Sequence, residues 1–407
     1  MFSLLLSLAA AIIGTKLLGE LSRRMGQPSV LGELLAGVIL GGSALGLLDP
    51  RDPAMHAFGQ LGLFVLIFQI GLHTDVRSLR RVGTSALAVA TAGVVLPFVA
   101  GFFVARAFGF ANLASVIAGA SLTATSMAIS ARVLSDKGVL HTREGQVVLG
   151  AALADDVIGL IVLSVVVAAV GGASVSAGSV ARISAVSVGF IVISLALGNY
   201  AVPPLFRVLD TIRAKGSLGM FGMAFGMLLA AIALASGTAM IIGAFVAGMI
   251  LHATPQRSEI ERTTAQIGHF FVPVFFAVVG ASIDLVSLSS NTALAIGALL
   301  IAAGILGKVA AGFAPLKFQG NKLLVGVAMV PRGEVGLIFA QMGLSTGAIT
   351  PELFGAIMLM VVVTTFVAPP LLGVVIRRDE SLDREHEAKP DHLARDGRRH
   401  TTAGRRH

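Results

Sequence analysis

The 407-residue chain has no cysteine, which excludes disulfides, thiolate metal sites and thiol catalysis and leaves its redox compartment undetermined. It is also poor in charge: 13% of its residues are Asp, Glu, Lys or Arg, against 55% hydrophobic, with a mean hydropathy of +0.89. Soluble globular chains carry about 25% charged residues, so this composition is that of an integral membrane protein. The formal charge of +8 does not point to nucleic acid. The basic residues sit in short loops and in the tail after Ile376, and no basic face is interleaved with aromatics. No glycine-rich stretch carries the GK[ST] of a phosphate loop, and stretches such as GELLAGVILGG read as close helix packing. The opening MFSLLLSLAAAIIGTKLLGELSRR has no basic residue before its apolar run and has Lys16 inside it, so it reads as a membrane helix rather than a cleaved signal peptide.

What the chain has is long apolar runs. Segments of roughly 17–25 apolar residues can cross a bilayer. Thirteen are predicted, near 2–22, 28–48, 58–74, 83–105, 112–131, 145–170, 183–206, 217–235, 238–252, 265–283, 291–314, 323–345 and 353–376. The odd-numbered loops hold fifteen basic residues, from Arg23 and Arg24 through Arg77, Arg80, Arg81, Arg132, Lys137 and Arg143 to Lys317 and Lys322. The even-numbered loops hold only Arg51, Arg106 and Arg182. The positive-inside rule then places the N-terminus outside and the C-terminus in the cytoplasm. Residues 378–407 are charged and without apolar periodicity, and read as a disordered cytosolic tail on a membrane domain of residues 1–377.

The two halves of the chain share a pattern. GELLAGVIL (32–40) aligns with GAFVAGMIL (243–251) at an offset of 211. Gly59, Val65, Gly71, Asp75, Ser78 and Leu79 match Gly268, Val274, Gly280, Asp284, Ser287 and Leu288 at an offset of 209. The matched segments lie seven spans apart, so the repeats, about 28–170 and 238–376, have opposite orientation, the plan of secondary transporters with midplane binding sites. The same offset carries TATS (123–126) onto RGEV (332–335), the two places where polar residues interrupt an apolar helix. With Pro331, Gly333 and Gly336 beside the second, both helices are predicted to unwind and cross there. It carries Asp155 and Asp156 onto Thr364 and Thr365, so the carboxylates belong to one repeat only.

Those carboxylates stand in LGAALADDVIGLIVLS (149–164), a run otherwise fit for lipid. A charge at mid-bilayer costs at least about 3 kcal/mol, so such residues face a cavity, find a partner and work on ions or protons. Glu33, Asp155, Asp156, Lys308, Arg332 and Glu334 are the charges within the core spans, and their net charge of −2 suits a cation. Neighbouring residues on a helix point about 100° apart, so one aspartate can touch an ion while the other meets a cation from another helix. Lys308, in LGKVAAG, can supply that cation. A pair of this kind, opened by an arriving metal ion, titrates as a coupled set, which is the simplest way to exchange a cation for protons. Hard monovalent cations take oxygen ligands, which the carboxylates, Thr125, Ser126 and water can provide. Arg332 and Glu334 read as charge compensation at the helix break, with Glu33 a further candidate. His73, His141, His252 and His269 lie near basic loop ends, where histidine can sense pH, though scattered histidines are more simply incidental.

The stretches QPSVLGELLAGVILG, LTATSMAISARVL, GAALADDVIGLIVL, ILGKVAAGF and VPRGEVGLIFAQMGL resemble the bacterial sodium/proton antiporters of the cation:proton antiporter superfamily. The resemblance covers nearly all of residues 1–377, and the aspartate pair with a membrane lysine is its specific part. It implies an all-α membrane protein with two crossed discontinuous helices, and a core domain that moves like an elevator against a dimerisation domain. It implies that Asp156 binds Na⁺ and H⁺, that Asp155 pairs with Lys308, and that Thr125 and Ser126 lie near the ion. An Asp-Asp pair with lysine is similar to the electrogenic members, which exchange two protons per Na⁺; electroneutral relatives carry Asn or Gln at the first position. The chain lacks the nucleotide-binding domain of the potassium-efflux relatives. The expectation is therefore a transporter rather than an enzyme, cofactor-free, carrying Na⁺ or Li⁺ against H⁺, as a homodimer in the lipid of a bacterial inner membrane. K⁺/H⁺ exchange, Na⁺-coupled symport of an organic anion, with a larger polar pocket, and a non-transporting membrane sensor are the alternatives.

Overall fold

The structure, a computed structural model, describes residues 2–42, 44–170, 177–209, 217–283 and 291–387. Among the described residues it is entirely helical. Its helices are α1 (Phe2–Arg24), α2 (Ser29–Leu40), α3 (Pro53–Leu72), α4 (Val76–Ala107), α5 (Asn112–Ser121), α6 (Met127–Asp136), α7 (Arg143–Val170) and α8 (Ala177–Leu209). They continue as α9 (Ser217–Ala235), α10 (Met240–His252), α11 (Arg257–Ala281), α12 (Asn291–Ala311), α13 (Lys322–Ala328), α14 (Glu334–Ser345) and α15 (Pro351–Glu387). Nine of these, α1, α3, α4, α7, α8, α9, α11, α12 and α15, contain stretches long and apolar enough to cross a membrane.

Local chemistry sets several ends. Asp52 caps α3 by accepting the Ala54 and Met55 amides ahead of Pro53, and Asn321 caps α13 through the Leu324 amide. The apolar segment 28–48 yields a shorter helix than expected. α2 stops at Leu40 because Gly41 turns extended, with ψ −179°, and the chain folds back so that the Leu48 amide donates to the Leu40 carbonyl. Its 12 residues span about 18 Å, short of a hydrocarbon core of about 30 Å. α10, at 13 residues, is equally short. Arg77 and Arg81, placed in a loop by hydropathy, open α4 behind the Asp75 cap. The last helix runs on to Glu387, while 388–407 lie outside the described residues.

The helices pack in two groups. In one, α1 lies on α2 and α9 on α10, with α3 and α11 between them; in the other, α4 packs on α7 and α12 on α15, with α5 against α14. Crossings in the first group depend on missing side chains. A Cβ on Gly37 would fall on the Ala277 carbonyl and Gly280, and one on Gly248 would fall on the Phe68 carbonyl and Gly71. Backbones approach this closely only between small residues, the usual way membrane helices associate. The outer surface is apolar, with Leu17, Phe103, Leu197, Leu228 and Leu306 exposed, which suits contact with lipid. Several of the basic turns meet at one end, where Arg377 donates to the Gly26 carbonyl, His73 faces Glu261 at 2.6 Å, and Glu144 accepts the Asn321 amide.

Candidate ion site at the helix crossing

α5 ends at Ser121 and α6 begins at Met127; α13 ends at Ala328 and α14 begins at Glu334. The two breaks face each other, and each supplies the groups the other lacks. The Ser126 amide donates to the Pro331 carbonyl at 2.8 Å, Thr125 Oγ1 to the Met329 carbonyl at 3.2 Å and Ser130 Oγ to the Ala328 carbonyl at 2.5 Å. Arg332, 1% exposed, reaches back with Nη1 to the Ala124 carbonyl at 3.0 Å and with longer bonds to Thr123 and Gly304. A guanidinium thus sits at the carbonyl end of α5, where a helix dipole is negative, and hydroxyls and an amide serve the carbonyl end of α13. Thr365 completes the junction by donating to the Arg332 carbonyl at 2.9 Å.

Asp155 lies against this crossing. It is 1% exposed, and its Oδ2 accepts the Thr125 amide at 2.8 Å and Lys308 Nζ at 3.3 Å. Lys308 is fully buried, with Gly93 of α4 lying against its ammonium. Asp156, one residue on, lines a cleft of about 50 Å³ together with Thr125, Ser126, Gly333, Leu63 and Phe275. A water needs roughly 15 Å³ of such space, so the cleft takes an ion with a few waters and not a bulky solute.

The structure therefore brings Asp155, Asp156, Thr125, Ser126, Lys308 and Arg332 together. Glu334 opens α14 beside them, but its side chain lies outside the described residues. Glu33 is elsewhere: buried on α2, it meets Arg132 of α6 at 3.5 Å, near the bond from Ser29 Oγ to Asp136 at 2.8 Å. Sequence reading missed Ser130 and Thr365, although Thr365 is the repeat counterpart of Asp156. The histidines are not at the crossing. His252 Nδ1 lies 2.8 Å from the Leu72 carbonyl, and the His141 ring lies 5.9 Å from that of His73, tilted by 45°. Partial burial, then the neighbouring His73 and Arg257, holds the His141 pKa below the ordinary histidine value.

Comparison with known proteins shows the family of the chain. The family model for the transmembrane sodium/hydrogen exchanger matches residues 7–378. The chain is 38% identical to the high-affinity Na⁺/H⁺ antiporter NhaS3 of Synechocystis, over 91% of this chain and 89% of that protein. It is 34% identical to the Na⁺/H⁺-K⁺ antiporter GerN of Bacillus cereus, over 91% and 96%. The fold is similar to that of the sodium proton antiporter MjNhaP1 of Methanocaldococcus jannaschii, with a TM-score of 0.68 at 18% identity, covering 91% of this chain and 97% of that one. The chain belongs to the transmembrane sodium/hydrogen exchanger family, whose members are transporters and not enzymes.

Proposed function

We propose that the chain is an electrogenic antiporter that moves Na⁺ or Li⁺ out of the cell against about two inward H⁺ per cation. The observation that carries this reading is the unequal environment of the two aspartates. Asp155 is held by Lys308 and the Thr125 amide, while Asp156 faces the cleft. A cation entering the cleft meets the Asp156 carboxylate and the oxygens of Thr125 and Ser126, and its charge competes with Lys308 for Asp155. Asp156 gives up its proton to make way for the cation, and Lys308, its partner taken, gives up a second. When the cation leaves, Asp156 and Lys308 each regain one. The site then holds either metal or protons, and a full cycle moves net charge.

Alternating access follows from the two helix groups. We take the nine long helices, the short α2 and α10, and the broken pairs α5–α6 and α13–α14 as thirteen crossings. The matched packing of α1 on α2 with α9 on α10, and of α4 on α7 with α12 on α15, supports the inverted repeat. The group bearing the ion site slides against the other, parting Glu33 from Arg132, Ser29 from Asp136 and Arg377 from Gly26. The protein works as a homodimer in a bacterial inner membrane, C-terminus in the cytoplasm. Similarity to GerN, a Na⁺/H⁺-K⁺ antiporter, favours one second reading, in which K⁺ shares the site. The small cleft does not favour organic-anion symport.

The test is dissipation of a pH gradient in proteoliposomes on adding Na⁺, Li⁺ or K⁺ under an imposed membrane potential. Response to Na⁺ and Li⁺, dependence of the rate on potential and silence of Asp156→Asn are expected. Response to K⁺ alone would overturn the sodium assignment, and indifference to potential would overturn electrogenicity.

A further inference from the structure

At the end where several basic turns meet, a pocket of about 480 Å³ opens between the start of α4, the α6–α7 turn, the start of α7 and the α12–α13 connection. Arg81, Arg143 and Lys317 line it with the hydroxyls of Ser85 and Thr142, and no carboxylate does. Among the described residues, none of the three cations makes an ion pair within 4 Å. The acid nearest in sequence, Glu144, is engaged by the Asn321 amide at 3.0 Å. Three like charges brought from positions 81, 143 and 317 into one concavity repel each other and raise the local anion concentration. The N-terminal end of the 28-residue α7, where Thr142 Oγ1 accepts the Gly145 amide, adds a positive pole to the same wall. The buried Gln146, also in the lining, donates Nε2 to the Leu140 carbonyl at 3.1 Å, and its Oε1 accepts no hydrogen bond from the described residues.

We propose that this pocket binds a phosphate group carried on a larger hydroxyl-bearing molecule, either an anionic lipid headgroup at the membrane surface or a phosphate compound in the cytosol. Arginine forks match phosphate oxygens two at a time, and lysine adds a point charge. The volume exceeds what a bare phosphate fills, and the open Oε1 of Gln146 calls for a hydroxyl donor beside it. The occupant would tie together the elements that position the ion pair. α7 runs from Arg143 to Asp155 over about 18 Å, α4 runs from Arg81 to Gly93 beside Lys308, and Lys317 follows α12.

The experiment follows the melting of the full chain in detergent while phosphatidylglycerol, glycerol phosphate or, at matched ionic strength, chloride is added. One or both phosphate arms should raise the melting point, chloride should not, and the triple variant Arg81→Gln/Arg143→Gln/Lys317→Gln should bind at least tenfold more weakly. A response to phosphatidylglycerol alone identifies a lipid source, and a response to glycerol phosphate a soluble one. No response in either arm, or an undiminished response in the triple variant, would overturn the site. Should the triple variant not fold, the single Lys317→Gln change, on an exposed connection, must still weaken the response several-fold; an unchanged response overturns the proposal equally.

Discussion

Replacing Lys308 by Gln removes the positive partner of Asp155 while nearly preserving side-chain length. At 3.3 Å two unit charges attract by about 5 kcal/mol if the effective dielectric constant is about 20. Desolvation of both groups offsets much of that in the intact pair, but the variant retains a carboxylate that is 1% exposed and has lost the ammonium that hydrogen-bonds to it. Breaking a buried pair in this way costs about 3–5 kcal/mol. The loss should be read at neutral pH by denaturant titration in detergent. Removing both partners, in Asp155→Asn/Lys308→Gln, should recover most of the stability, giving a coupling of at least about 2 kcal/mol in the double-mutant cycle. A single Lys308→Gln loss within about 1 kcal/mol of zero, or strictly additive single losses, would refute the buried-pair argument.

Asp156→Asn should abolish cation-driven proton movement and leave stability within about 1 kcal/mol of the native chain, because Asp156 lines the cleft and it is Asp155 that hydrogen-bonds Lys308; a loss comparable to that of Lys308→Gln would make it structural. Arg332→Gln should cost about 2–4 kcal/mol in the same titration, since the carbonyls of Thr123, Ala124 and Gly304 lose a buried charged donor. Gly37→Ala and Gly248→Ala should each cost about 1–3 kcal/mol, because the new methyl meets backbone on the facing helix. The folded state disfavours the charged form of His141, so its contribution is intact above the ordinary histidine pKa and falls as pH drops below it. His141→Gln should therefore flatten the acid-side decline of melting temperature, and an unchanged slope would contradict the assignment.

The site was legible where membrane physics forbids accident. Asp155, Asp156 and Lys308 stand out because charge in lipid is costly, and Pro331, Gly333 and the hydroxyls of Thr125 and Ser126 mark a helix that cannot continue. The repeat offset predicted that the two breaks would meet, as the bond from the Ser126 amide to the Pro331 carbonyl records. Helix ends were less legible. An apolar run through Gly41 and Gly42 scores as one span, yet two glycines in succession let the backbone leave the helix at Leu40. Partners away from the crossing were not legible: Glu33 meets Arg132, and Arg81 shares a pocket with Lys317, only once the helices have packed.

The claim that one site holds either a cation or protons is tested most directly by calorimetric titration of the detergent-solubilised protein with Na⁺ in two buffers of different ionisation enthalpy. The difference in heat counts protons released per ion bound. The account predicts more than one proton, approaching about two, at a pH where the site is protonated before binding, and neither heat nor proton release in Asp156→Asn. Na⁺ binding with the same heat in both buffers would mean that no proton leaves the site and would contradict the account.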